Sequence, residues 1–127
     1  RADDSIINAA LNYGYSIILS AFNREIVSNG YLTQLGLFHD NMFNQFNLAS
    51  DIMEPFRTII DREVCKMKFI LFDKKEKIHM VNLLNSEVRI AGRTEVVINA
   101  IKIYCKSVFD ALEENDISLI KFYDYEL

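Results

Sequence analysis

Residues 3–30 read DDSIINAALNYGYSIILSAFNREIVSNG, and this stretch decides the class of fold. Its apolar or small residues recur at intervals of three and four, which predicts one face of an α-helix. That face comprises Ile6, Ile7, Ala10, Leu11, Gly14, Ile17, Ile18, Ala21 and Phe22. The polar side chains of residues 3–5 can cap the start of the helix, and Gly30 predicts its end. Gly14 also suits a close approach by another helix, because it has no side chain to hold the neighbour away.

A second helix is predicted to begin near Leu48, and Pro55 interrupts it. Inside a continuous helix, Pro55 would leave the Asp51 carbonyl without its amide donor and would kink the axis. Alternatively, Pro55 is the first residue of a fresh helix, where proline is well tolerated. In both cases the backbone changes direction beside Asp51 and Glu54. The apolar side of this region comprises Ile52, Met53, Phe56, Ile59, Ile60, Val64 and Met67.

The second half of the chain predicts two more helices and a short β segment. Residues 73–76 (DKKE) resemble a capping box, which opens a helix with apolar residues at Ile78, Val81, Leu83 and Leu84. Residues 87–90 alternate between polar and apolar before Ala91 and Gly92, which predicts a short strand or hairpin. Thr94 is predicted to cap the last long helix. The apolar stripe of that helix comprises Val97, Ala100, Ile101, Tyr104, Val108, Ala111 and Leu112.

The predicted fold class is therefore all-α, with at most a short strand or hairpin near residues 87–91. A chain of 127 residues suits one helical domain over residues 1–127. One proline and four glycines argue against a loop-rich or many-stranded fold. The first residue is Arg1 rather than methionine, so we expect the chain to begin inside a longer protein.

Composition limits the functional classes. No apolar run approaches the ~18 residues of a membrane span, and the first residues lack the features of a signal peptide. Cys65 and Cys105 show no paired spacing, and we expect reduced thiols in a cytoplasmic protein. The formal net charge of −4 argues against a general attraction to nucleic acids. DNA binding would therefore need a local basic patch or metal ions.

One group of residues combines a histidine with several carboxylates near the predicted structural break. It comprises His39, Asp51, Glu54 and Asp61. Carboxylate oxygens suit Mg²⁺ or Mn²⁺, and Mn²⁺ also accepts an imidazole. The alternative interpretation of the same residues is a solvated helix face beside an unrelated histidine. The second histidine, His79, has only Glu76 as a nearby carboxylate in the sequence and is expected to be exposed without a role at the metal.

Other common catalytic signatures are absent from the sequence. The glycines are isolated, so no phosphate-binding glycine loop is present, and neither a Gly-x-Ser-x-Gly motif nor paired zinc-binding cysteines occur. Arg57 precedes Arg62 and Lys66, and the last two lie one helical turn apart. These three residues are candidate contacts to DNA phosphates. Ordinary surface charge is the alternative, and Arg57 can instead pair with a neighbouring acid.

The order of three motifs resembles the CRISPR-associated integrase, the adaptation subunit called "Cas one", and most closely that of the type II systems. The motifs are residues 8–15 (NAALNYGY), residues 36–39 (GLFH) and residues 48–57 (LASDIMEPFR). The resemblance extends to the ending at residues 121–127 (KFYDYEL). It implies an all-α catalytic domain that follows an N-terminal β-rich domain, and we expect residues 1–127 to correspond to the all-α domain alone.

The resemblance also implies a site and a reaction. His39 and Glu54 match the family's metal ligands, and Asp51 falls where a further acidic residue often lies near the metal. A third ligand, a glutamate before residues 8–15, has no match, because no glutamate precedes Glu25. The implied reaction is insertion of a new spacer, in which the 3′-hydroxyl of a captured DNA attacks a phosphodiester of the CRISPR repeat. The implied cofactor is Mg²⁺ or Mn²⁺.

The partners that the resemblance implies are the prespacer and repeat DNA, the bridging subunit called "Cas two", a second copy of the integrase, and the type II effector and accessory adaptation proteins. Because one ligand has no match, we expect the isolated chain to be a poor enzyme. The competing hypothesis is a non-catalytic helical protein-interaction module, in which His39 and the carboxylates have no metal to bind.

Overall fold

The structure, a computed structural model, describes residues 4–30, 45–68 and 70–124. Within these ranges the chain is mainly helical and contains one small β-hairpin, which confirms the predicted fold class. The α-helices are α1 (Asp4–Ser28), α2 (Gln45–Met53), α3 (Arg57–Lys66), α4 (Lys74–Asn82) and α5 (Val97–Glu114). The strands are β1 (Glu87–Ile90) and β2 (Arg93–Val96). Short 3-10 turns occupy Glu54–Phe56, Leu83–Asn85 and Ile117–Leu119.

Helix α1 lies at the centre of the described structure and contacts each of the other four helices. The predicted stripe is confirmed at its core, where Ala10, Ile18 and Phe22 are fully buried. The helix ends at Ser28, and Gly30 adopts φ +76°, a conformation that favours glycine. At Gly14, an added Cβ would lie 2.5 Å from Ile60 Cγ2. This glycine therefore allows α3 to approach α1 closely, as its position in the sequence predicts.

The predicted second helix is divided at Pro55, and a single 3-10 turn separates α2 from α3. The amide donor that a 3-10 turn would direct at the Ile52 carbonyl belongs to Pro55, which has no N–H. The Tyr104 hydroxyl, from α5, instead donates a hydrogen bond of 2.7 Å to that carbonyl. A fresh helix then begins at Arg57. Two features therefore stabilise the break between the helices. Pro55 offers no amide donor, and the buried Tyr104 hydroxyl bonds to the Ile52 carbonyl in its place.

The capping box at the start of α4 is confirmed. Asp73 accepts from the Lys74 amide at 2.9 Å, and Glu76 accepts from the Asp73 amide at 3.0 Å. The predicted apolar side is wrong at Ile78 and Val81, which are exposed, because the helix instead packs through Met80. Each residue advances a helix by about 100°, so a short helix that buries Met80 turns these two neighbours away.

The predicted hairpin is confirmed, with β1 and β2 antiparallel and Ile90 paired with Arg93. Its two-residue turn places Ala91 and Gly92 at φ +55° and +76°, as in the type I′ turn that suits the twist of paired strands. The prediction that Thr94 caps the last helix is wrong. Thr94 lies in β2, where Arg89 donates to its hydroxyl at 3.1 Å. Strand pairing continues to Val96 and leads directly into α5, so the helix has no side-chain cap.

Helix α5 and the last described residues close the core. The predicted stripe of α5 is buried or half-buried except at Leu112, which is 57% exposed near the end of the helix. Beyond it, Tyr123 returns to the core, where its backbone bridges Ile90 and its ring lies 4.9 Å from that of Phe56. The described elements therefore share one core. Among these elements, no helix combines the length and the apolar character that crossing a membrane requires.

Candidate functional site

The segment at residues 51–54, here called the acidic turn, carries two of the predicted site residues at the end of α2. Asp51 and Glu54 are both exposed, and the Glu54 side chain retains 67% of its surface. Between them, Ile52 and Met53 point into the core and anchor the backbone. These two buried side chains hold the acidic turn against the core, while both carboxylates face outward.

Arg57 begins α3 and faces the acidic turn. Its Nε lies 3.0 Å from Glu54 Oε2, so the arginine pairs with a neighbouring acid, one of the two alternatives that the sequence leaves open. That Nε is buried, and the contact is an ion pair without the alignment of a hydrogen bond. The guanidinium also lies over the ring of Tyr15, with 4.7 Å between its carbon and the ring centroid. This is a cation–π arrangement.

Tyr15 links the Arg57–Glu54 ion pair to a further carboxylate, that of Asp61. Its hydroxyl donates a hydrogen bond to Asp61 Oδ1, across 46 positions of sequence. Partial burial, together with this bond to a carboxylate, raises the pKa of Tyr15 to about 12. The protonated hydroxyl thus occupies one oxygen of the Asp61 carboxylate. No local sequence pattern predicts this link, and its one signal is an aromatic residue, Tyr15, beside Gly14 and off the apolar stripe.

The described part of the site fits a hard divalent cation in the type of donor that it offers. Asp51 and Glu54 present solvent-facing carboxylate oxygens, which Mg²⁺ and Mn²⁺ prefer. No three histidine, cysteine, aspartate or glutamate side chains among the described residues are close enough to hold a metal. His39, the predicted histidine ligand, lies outside the described residues. The metal site thus stays a prediction that the two carboxylates suit chemically.

The two other predicted DNA contacts lie away from Arg57. Arg62 and Lys66, both on α3, line a groove of about 440 Å³ with Arg89 of the hairpin. Carboxylates of Glu63, Glu87 and Asp124 line the same groove, so its charge is mixed. Arg89, which pattern analysis did not single out, reaches this groove because the hairpin folds back beside α3. Binding of DNA phosphate by Arg57, Arg62 and Lys66 stays a prediction.

His79, predicted to be an exposed histidine, has a partner that its sequence neighbourhood does not reveal. Its Nε2 lies 2.6 Å from Glu63 Oε2, whereas Glu76 is used by the capping box. The side chain is 49% exposed, so the predicted exposure is correct. Glu63 lies sixteen residues earlier in the chain and approaches only when α3 and α4 pack together. The pair bridges the two helices on the surface.

These features define a mainly α-helical protein whose acidic turn is exposed and paired with a buried arginine nitrogen. Residues 1–89 match the family model described as "CRISPR associated protein Cas1". This match covers more than half of the chain and includes all three sequence motifs. The chain belongs to the Cas1 family. Because the match ends at residue 89, it does not bear on the resemblance of the C-terminal ending.

Individual relatives agree with the family. The chain is 45% identical over 64 residues to the CRISPR-associated endonuclease Cas1 of Neisseria meningitidis serogroup C (strain 8013), which covers 50% of this chain and 21% of that protein. It is 35% identical over 93 residues to the CRISPR-associated endonuclease Cas1 1 of Archaeoglobus fulgidus, a match that covers 70% of this chain and 27% of that protein. It is 36% identical over 76 residues to a CRISPR-associated protein Cas1 3 of Methanobrevibacter ruminantium, a match that covers 60% of this chain and 22% of that protein. The chain thus spans about a fifth to a quarter of the length of these relatives.

Proposed function

We propose that this chain is the helical catalytic part of a CRISPR-associated, metal-dependent DNA endonuclease and integrase. Membership of the Cas1 family is the observation that carries the proposal, because relatives of this family are named endonucleases. Exposed carboxylates alone would also suit an ordinary helix surface. The acidic turn adds a chemically suitable place for the reaction, since its two carboxylates face outward on a well-anchored backbone.

His39 and Glu54 would hold Mg²⁺ or Mn²⁺, and Asp51 would support the ion directly or through water. The ion would polarise the phosphodiester and neutralise charge on the leaving oxygen. Glu54 contributes a carboxylate whose Oε2 is already paired with Arg57, and a carboxylate has a second oxygen to offer a cation. Arg57 thus limits the net negative charge of the acidic turn before DNA approaches.

The proposed reaction is a transesterification. The 3′-oxygen of a captured DNA forms a bond to phosphorus in the CRISPR repeat, and the bond from that phosphorus to the 3′-oxygen of the repeat breaks. The attacking hydroxyl loses its proton to solvent, and the leaving oxygen gains one. One phosphodiester replaces another, so no external source of energy is needed. Arg62 and Lys66 are proposed to contact DNA phosphates, with the bridging "Cas two" subunit, a second copy and type II adaptation proteins as further partners.

Strand transfer by the full-length protein tests this proposal. A labelled DNA with a free 3′-hydroxyl is incubated with a repeat duplex and Mn²⁺, and the joined product is measured. We expect Glu54→Ala to lower the rate by at least about a hundredfold, as loss of a directly acting group does. Glu114→Ala, at the exposed end of α5, is the matched control and should keep the full rate. Full activity of the Glu54 variant would contradict the assigned role.

A further inference from the structure

Four side chains from three elements form a continuous connection behind the acidic turn. Glu54 contacts Arg57, Arg57 lies over the ring of Tyr15, and Tyr15 donates to Asp61. Tyr15 belongs to α1, whereas Arg57 and Asp61 lie one turn apart on α3. Tyr15 therefore contacts two side chains of the same helix, the cation through its ring and the anion through its hydroxyl.

Two carboxylates are candidate ion-pair partners of Arg57, one before it in the sequence and one after it. Asp61 stands four residues after Arg57 on the same helix, a spacing at which an arginine and an aspartate commonly pair. Glu54 stands three residues before it. In the structure the Tyr15 hydroxyl bonds to Asp61, and the guanidinium pairs with Glu54. The tyrosine thus bonds to one oxygen of the competing acid and offers its ring face to the cation.

The two contacts of Tyr15 strengthen each other. A phenol that donates its proton towards a carboxylate becomes richer in electrons, and a richer ring attracts a cation more strongly. The raised pKa of about 12 agrees with a hydroxyl that stays protonated and keeps donating. Arg57 is partly shielded from water, with 31% of its side chain exposed, so its attraction to the ring is less screened than at an open surface.

We infer that Tyr15 is a positioning residue that orients the Glu54 carboxylate by keeping Arg57 on Glu54 instead of Asp61. The inference rests on the proposed function, in which Glu54 is a metal ligand. Without the tyrosine, Asp61 loses its donor and becomes available to Arg57, and Glu54 loses the contact that holds Oε2. A ligand with a freer side chain must lose more conformational freedom when it binds a cation, so metal affinity falls.

Mn²⁺ affinity of the full-length protein, measured by calorimetry with no DNA present, tests this inference. We expect Tyr15→Leu, which removes both ring and hydroxyl, to raise the Kd on the order of tenfold. Tyr15→Phe keeps the ring but frees Asp61, so a smaller rise is expected. Tyr13→Leu is the matched control, because Tyr13 lies on the same helix beneath a different cation, Lys77, at 5.7 Å. That variant should leave the Kd unchanged.

A double-mutant cycle separates positioning from a loss of stability. If Tyr15 acts through Arg57, then Tyr15→Leu should have no further effect on the Kd in an Arg57→Ala background. Equal effects in both backgrounds, or an unchanged Kd in the single variants, would overturn the inference. If Tyr15→Leu does not fold, Tyr15→Phe, which also frees Asp61, carries the same cycle. Glu54→Ala distinguishes the two levels, since an unchanged Kd there defeats the proposed function itself.

Discussion

At the scale of single residues, the two cysteines show how strongly position alters chemistry. Cys65 is exposed at the end of α3, and Cys105 is completely buried in α5. Burial raises the pKa of Cys105 from 9.0 to about 12, with a smaller contribution from the charge of Glu25. Thiolates are the reactive form, so the buried thiol is unreactive both because it is shielded and because it stays protonated.

We expect a thiol reagent at about pH 8 to modify Cys65 in the native protein and Cys105 only after unfolding.

The raised pKa of Cys105 also affects stability, because the folded state holds the thiol proton more tightly than the unfolded state. The contribution is complete below pH 9.0 and is lost as the pH rises towards 12. Urea unfolding of Cys65→Ser and of Cys65→Ser/Cys105→Ala, between about pH 8 and pH 10, should show this loss only when Cys105 is present. Equal pH dependence would contradict the assignment.

Some individual residues could be assigned from the sequence, and others could not. The capping role of Asp73 depends on neighbours three residues apart and was predicted correctly. Thr94 was assigned as a cap because threonine often precedes helices, but the pairing of β2 with β1 places it within a strand. The Tyr15–Asp61 bond joins residues 46 positions apart, a relation that no local pattern contains.

At the scale of elements, the approach of α1 to α3 and α4 depends on Gly14. An added Cβ would meet Ile60 Cγ2 at 2.5 Å and Met80 Cε at 2.8 Å. The methionine end is flexible, but Ile60 is branched and fully buried, so it cannot yield easily. Close packing of the three helices thus requires the absence of a side chain at this one position.

We expect Gly14→Ala to destabilise the protein by about 1–2 kcal/mol. Overpacking costs about 1–3 kcal/mol, and the better helix propensity of alanine returns about 0.5–1 kcal/mol. Urea unfolding followed by circular dichroism measures the difference. Ser20→Ala, at an exposed position of the same helix, should change stability by less than about 0.5 kcal/mol. A stabilised Gly14 variant would show that the helices are farther apart than described.

At the scale of the whole molecule, Tyr123 connects parts of the chain that are remote in sequence. The Asp124 amide donates to the Arg89 carbonyl at 2.8 Å, the Tyr123 hydroxyl bonds to Thr58, and its ring packs on Phe56. The hairpin, α3 and the last described residues are thereby joined. Burial raises the pKa of Tyr123, consistent with a hydroxyl enclosed by the core.

Removal of this connection should weaken the entire fold. We expect Tyr123→Ala to cost about 3–5 kcal/mol, as for other large aromatic residues, and Tyr123→Phe to cost about 0.5–1.5 kcal/mol for the hydroxyl alone. Phe122→Ala is the control, because that neighbouring side chain is 51% exposed and should matter much less. Chemical unfolding of the three variants ranks them. An equal loss at both aromatic positions would refute the closing role of Tyr123.

Local sequence patterns were enough to predict most of the helices and strands, and the ordered motifs were enough to predict the family. The helical periodicity of α1 and α5, the capping box, the Ala91–Gly92 turn and the break at Pro55 are local properties of the chain, and each was recovered in the structure. The ordered motifs predicted the family, which the match over residues 1–89 confirms. These inferences succeed because residues within a few positions of one another control backbone geometry directly.

The tertiary structure, by contrast, shows how those elements meet. It buries Met80 and exposes Ile78, pairs His79 with Glu63, and assigns Arg57 to Glu54 while Tyr15 occupies Asp61. The physical reason is that a helix surface offers several acceptable packing faces and several charged partners of similar energy. The choice among them depends on which helices approach one another, and that approach is set by the shape of the whole core.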